Sequence, residues 1–140
     1  MKKKTVTVVA FLAIMLVFVM SSFTPQVEGQ KTGAAWEIPA AYKAKVNTFA
    51  KDKSLVDIGK VQYTKQCRAS HGNTGLGDGP KSKSMKTFPG KFNDPKFQAG
   101  TDGELYYQSI IGRGEMPNYE SKIPDDEDRW ALIMYLRTLK

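Results

Sequence analysis

The stretch QCRASHG, Gln66 to Gly72, holds the only cysteine and the only histidine of a 140-residue chain, Cys67 and His71. Upstream of it, Gly59, Tyr63 and Cys67 recur every fourth residue. That spacing puts all three on one face of a helix. The helix is expected to start near Ser54, where Ser54-x-x-Asp57 resembles a capping box with Asp in place of Glu. A glycine on a packed helix face costs about 1 kcal/mol relative to alanine, so Gly59 implies the close approach of another helix.

Downstream, residues 72–100 concentrate Gly72, Gly75, Gly77, Gly79, Pro80, Pro89, Gly90, Pro95 and Gly100. This predicts a long irregular segment rich in turns, and a loop of that length in a compact domain is usually functional or wraps something. Thr101-x-x-Glu104 is a capping box that opens a short helix, Asp102 to Ile111, with Gly112 as its stop. A second loop follows, Arg113-Gly114-Glu115-Met116-Pro117. The last helix starts after Pro124, with Asp125, Asp126, Glu127 and Asp128 in its first turn, where the helix dipole favours anions. Over Arg129 to Leu139 it bears a stripe of Leu132, Tyr135, Leu136 and Leu139, widened by Trp130, Ile133 and Met134. No strand pattern competes. The middle of the chain has too few aliphatic side chains to fill a core, and something apolar and flat would fill it.

At the N-terminus, Lys2, Lys3 and Lys4 precede an apolar run, Val6 to Met20, interrupted by Thr7 alone. This has the layout of a secretory leader, with Val27-Glu28-Gly29 or Val19-Met20-Ser21 as cleavage sites. The run is slightly short for an uncleaved membrane anchor, which needs roughly 20 apolar residues. The expected organisation is a signal peptide or anchor at 1–29, a linker or N-terminal extension at 30–53 with some helix around Ala40 to Val46, and one domain at 54–140. An exported chain with one cysteine has no internal disulfide, and a lone thiol in an oxidising compartment calls for a use. The formal net charge is +7, with Lys81, Lys83, Lys86, Lys91 and Lys96 crowding one loop region. These form either a solvated loop or a docking patch for an acidic protein. No aromatic platform or basic helix accompanies them, which argues against nucleic acid.

The chemistry of Cys67 and His71 follows from their order. A Cys-x-x-Cys-His string attaches haem in c-type proteins; here Ser70 stands where the second thiol would be. One thiol can fix one haem vinyl group as a thioether, and the histidine after it can reach the iron through a ring nitrogen. Such iron commonly takes a methionine opposite the histidine. Met116 is the best candidate, because it sits in a glycine loop beside Pro117 and outside any helical stripe. A ligating histidine usually donates its other N–H to a carbonyl, and the Gly77-Asp78-Gly79-Pro80 turn offers one, at Pro80.

Four features in order, the Gly59…Tyr63…Cys67-x-x-Ser70-His71-Gly72 run, the Gly77-x-Gly79-Pro80 turn, Gly112-x-Gly114-x-Met116-Pro117 and the closing helix Arg129 to Leu136, resemble a class I monohaem cytochrome c over residues 54–140. The resemblance implies an all-α cytochrome c-like fold, its first and last helices packed across each other around one haem, with long Gly/Pro loops. It implies an electron carrier rather than an enzyme: one haem c held by a thioether through Cys67, with Cys67, Ser70, His71, Pro80 and Met116 as cofactor contacts and His71 and Met116 on the iron. A redox protein with an acidic docking surface is the implied partner. The place implied is the periplasm or the outer face of the cytoplasmic membrane, with a tether through the leader if it is uncleaved. Ser70 departs from the family pattern. It leaves three outcomes: a single thioether, haem bound without a covalent bond, or a haem-free or poorly loaded interaction module. A further reading, with Met116 off the iron and the open position taking peroxide or a small gas, has only Arg113 and Glu115 nearby as polar groups.

Overall fold

The computed structural model describes residues 31–140; the expectations for the leader lie outside them. Its helices are α1 (Ala40–Lys43), α2 (Leu55–Gln66), α3 (Arg68–His71), α4 (Pro95–Ala99), α5 (Asp102–Tyr106) and α6 (Asp126–Leu136). A 3-10 turn spans Ser82–Ser84, and a wider π-type turn, Tyr107–Ile111, continues α5. Among the described residues there is no strand, only two isolated bridges, Lys31 with Thr87 and Arg113 with Met116. No helix of the described residues is long and apolar enough to cross a membrane.

The fold rests on α2 against α6. On α2 the buried residues are Leu55, Gly59 and Tyr63; Gly59 and Tyr63 belong with buried Cys67 to the stripe read from the sequence, and Leu55 extends it by one turn. On α6, Trp130, Ala131, Leu132, Ile133, Met134 and Leu136 are all buried. That is more than one face, because this helix is enclosed by α2, by α5 and by the loops around it. Gly59 meets Ala131 so closely that a Cβ built on it would lie 2.0 Å from the Ala131 carbonyl oxygen. Real Cβ atoms do not come so near, so the absence of a side chain at Gly59 sets the helix separation. The Tyr63 and Tyr135 rings meet at 5.2 Å beside this contact, and Gln62 donates to the Asp128 carboxylate across it at 2.7 Å.

The helix ends follow local chemistry, with three departures from expectation. Ser54 does not cap α2: its own backbone is already helical, and its hydroxyl and N–H both bond to Asp52 Oδ1, at 2.6 and 3.0 Å. The turn is therefore built one step upstream of the expected box. The segment expected as one helix from Asp102 to Ile111 changes pitch after Tyr106. Its capping box is present, with Thr101 Oγ1 accepting from Glu104 N–H at 3.2 Å and Glu104 accepting from Thr101 N–H at 2.8 Å. It stops at Gly112, whose φ of 69° favours glycine. Finally, α4 interrupts the irregular segment. Asp94 accepts from Lys96 N–H at 2.8 Å and Pro95 fills the first turn, a helix start signal the Gly/Pro count obscures.

Residues 31–53, read as a linker or extension, lie on the domain. Tyr42 stacks on Tyr106 at 6.3 Å and tilts against Tyr107 at 4.8 Å. A Cβ on Gly103 would lie 1.9 Å from the Tyr42 carbonyl oxygen, so α5 receives α1 as closely as α2 receives α6.

Candidate haem-attachment site

Cys67 is the hinge between α2 and α3, and two tyrosine hydroxyls and three loop amides fix the turn around it. Tyr63 donates its hydroxyl to the Gly72 carbonyl at 2.6 Å, and Tyr119 donates to the Gln66 carbonyl at 3.1 Å. The Gly/Pro loop then folds back on α3: Lys81 N–H donates to Ala69, Gly79 N–H to Ser70 and Gly77 N–H to His71, at 2.9, 3.2 and 2.9 Å. Three consecutive carbonyls at the end of a one-turn helix, which would otherwise lack partners, are thereby satisfied. Gly79 permits this approach, since a Cβ there would lie 2.5 Å from the Ala69 carbonyl oxygen.

The two reactive side chains of this turn are both buried, with 5% of Cys67 and 6% of His71 exposed. Burial pushes the Cys67 thiol up to about 12, so it is held as the neutral, poorly nucleophilic thiol. Burial also pulls His71 down to about 4, so at neutral pH the imidazole is uncharged and keeps a lone pair for a metal. The His71 ring stacks on Phe92 at 4.5 Å, nearly parallel. Its Nδ1 is buried with no hydrogen-bond partner. No bond joins that nitrogen to the Pro80 carbonyl, and Pro80 itself is exposed. Ser70 is half-buried in the same turn.

Met116 is half-buried and packs against the core cluster that contains Cys67, Tyr63 and Phe92. Its loop is pinched shut: Met116 N–H donates to Arg113 at 2.9 Å, and Tyr119 N–H to Ile110 at 2.7 Å. Gly112 has no room for a side chain, because a Cβ there would lie 2.3 Å from the Met116 carbonyl oxygen. Arg113 and Glu115, the polar groups of this loop, are both engaged. The Glu115 carboxylate accepts from Lys86 and Thr87 N–H at 3.1 and 2.9 Å, bonds that hold it below the usual carboxylate range. Arg113 donates to the carbonyls of Ala34 and Ala35. The five loop lysines, Lys81, Lys83, Lys86, Lys91 and Lys96, are all exposed.

A buried neutral imidazole with an orphaned nitrogen, a buried thiol four residues before it and a thioether packed on the same core form a donor set whose chemistry suits haem iron. Sequence reading missed Phe92 and Tyr119, which complete the enclosure; each is a single aromatic in a polar stretch, with no periodicity to mark it.

Packed terminal helices, a buried Cys–His turn at the end of the first and a methionine loop closed on the same core define a small all-α haem-protein fold. The cytochrome c family model matches residues 56–140, and the chain belongs to the cytochrome c family. Its class is therefore that of a haem-binding electron-transfer protein. No curated protein matches the chain.

Proposed function

We propose that this chain is a monohaem electron carrier in which Cys67 would form the only thioether and His71 and Met116 would hold the iron. Haem bound there supplies an iron that gains and loses single electrons. The observation that supports this reading best is the orphaned nitrogen of His71: an unpaired polar atom in a dry site costs about 1–3 kcal/mol, and a metal bond or a carbonyl partner removes that cost. With one ring nitrogen on the iron, the Pro80 carbonyl is the proposed acceptor for the other N–H, which would fix the tautomer. Tyr63 and Tyr119 hold the turn that aims both side chains, while Met116, a soft thioether, favours the reduced iron. The five exposed lysines are the proposed docking surface for an acidic redox partner, and the proposed place of work is outside the cytoplasm, supported by the leader-like N-terminal sequence.

One absorption experiment tests the attachment. The exported chain, made alongside a cytochrome c maturation system, is measured reduced, before and after acidified-acetone extraction. Bands that survive extraction are expected, because a thioether through Cys67 resists it; His71→Ala is expected to lose them. Bands that wash out would overturn the covalent part alone. Their absence from the start would favour the haem-free reading, to which Ser70 and the Phe92 ring stacked on His71 already lend an argument.

A further inference from the structure

The loop that presents Met116 is closed at its neck by the Met116–Arg113 and Tyr119–Ile110 backbone bonds, but its tip has little to hold it from within. Gly112 and Gly114 both adopt positive φ, and nothing lies within 4 Å of where a Gly114 side chain would be. Residues 113–115 are exposed, and two glycines make the segment costly to order. What holds it are ties to distant parts of the chain, made by the side chains that flank Met116. Glu115 reaches 28 and 29 residues back, to the N–H groups of Thr87 and Lys86. Arg113 reaches 78 and 79 residues back, to the carbonyls of Ala35 and Ala34, and its guanidinium lies 3.9 Å over the Trp36 ring. The two anchoring segments are themselves joined. Phe88 N–H donates to the Lys31 carbonyl at 3.1 Å, and the missing Gly33 side chain would sit 3.4 Å from the Thr87 methyl. Trp36 is braced from the other side by Tyr107, edge-on at 6.3 Å. Residues 31–36, 86–88 and 113–115 thus close a triangle around the methionine loop.

We infer that Arg113 and Glu115 are positioning residues for Met116, and that residues 31–36 are the strap that Arg113 grips to keep the thioether at the iron. This rests on the reading of Met116 as an axial ligand. A planar guanidinium spanning two carbonyls and an aromatic face is a geometry a lysine cannot reproduce. Losing it loosens the loop without removing a core side chain, since Trp36, Arg113 and Glu115 all lie outside the buried clusters.

Imidazole competes with a methionine for ferric iron, so its binding reads how firmly Met116 is held. In the haem-loaded full chain, Arg113→Ala and Trp36→Ala should each bind imidazole about tenfold more tightly, the equivalent of one lost grip of this kind. Arg113→Lys should recover only part of the difference, and Glu115→Gln should fall between wild type and Glu115→Ala. Hydrogen exchange at the amides of residues 112–117, measured on the same proteins, should quicken about tenfold in Arg113→Ala while the amides of α2 and α6 stay as slow as in wild type. Met116→Ala is the control. If it binds imidazole more tightly and Arg113→Ala and Trp36→Ala do not, the strap is overturned and the ligand reading stands. If Met116→Ala binds no more tightly than wild type, the ligand reading is overturned and this inference goes with it. Faster exchange across α2 and α6 together would make Arg113 a residue of general stability and overturn its positioning role.

Discussion

Ser70 is one atom type away from the family pattern, and under the proposed single-thioether reading its consequence is confined to one haem vinyl group. The turn that holds it is fixed by Tyr63, Tyr119 and the loop amides rather than by any second covalent bond. Ser70→Cys should therefore be accepted without rearrangement and form a second thioether. Saturating the second vinyl shortens the conjugated system, so the reduced band should move to shorter wavelength and remain after extraction; an unmoved band would show that the thiol at position 70 cannot reach. Tyr63 gives the pH dependence. Burial, with smaller contributions from Cys67, Tyr135 and Asp78, raises its hydroxyl above the ordinary value of 10.0. The folded chain thus holds that proton more tightly than the unfolded chain does. Its contribution is complete below about pH 10 and is lost as pH rises above that value. Denaturant unfolding at pH 9 and pH 11 should show a fall in stability that Tyr63→Phe reduces. At pH 9 the same variant should be less stable than wild type by about 1 kcal/mol for the lost bond to Gly72.

At the scale of elements, the contact of α2 with α6 is the most demanding. Gly59→Ala puts a methyl where the Ala131 carbonyl stands, and both partners are backbone or buried, so the helices must separate. We expect a loss of about 1–3 kcal/mol, the usual cost of overpacking, read as a lower denaturation midpoint with helix content unchanged. This contact was legible in the sequence. A glycine four residues before an aromatic and eight before a cysteine marks a helix face pressed too close to its neighbour for a side chain, and the Thr101–Glu104 box and Gly112 stop were equally plain. The pitch change at Tyr107 and the failure of Ser54 to cap were not. Both are decided by neighbours: Asp52 captures Ser54, and the chain after Tyr106 must bring Gly112 against Met116. Periodicity describes an isolated segment and is blind to such competition.

For the whole molecule, the class of fold could be read from four short motifs because each marks a backbone position that tolerates few alternatives. The short helix of the N-terminal extension, Ala40–Lys43, was within reach of the sequence, but its docking was not, because its hold on the domain comes from single aromatic and guanidinium contacts without a repeat: Tyr42 on Tyr106 and Tyr107, Arg113 on Trp36. The surface has its own prediction. If the exposed lysines of residues 81–96 steer an acidic partner, the second-order rate of electron transfer should fall as ionic strength rises from about 10 to about 150 mM, over which the screening length shrinks from about 30 to about 8 Å. Lys81→Glu and Lys86→Glu together should flatten that dependence; an unchanged salt slope would place docking elsewhere.

The path of the chain at Lys31 has a mechanical side. Lys31 lies against Thr87, and residues 31–36 run to the Arg113 guanidinium before the chain reaches the helices. A tensile load applied upstream, by a tether or by a partner holding the leader side, would meet the Lys31–Phe88 bond and the arginine clasp before it met α2. Both would yield in series while Gly59 and Ala131 still bore no strain. The N-terminal ties of the domain thus meet at the Met116 loop, and under the proposed ligation force on that end would reach the iron's thioether ligand before it reached the packed helices.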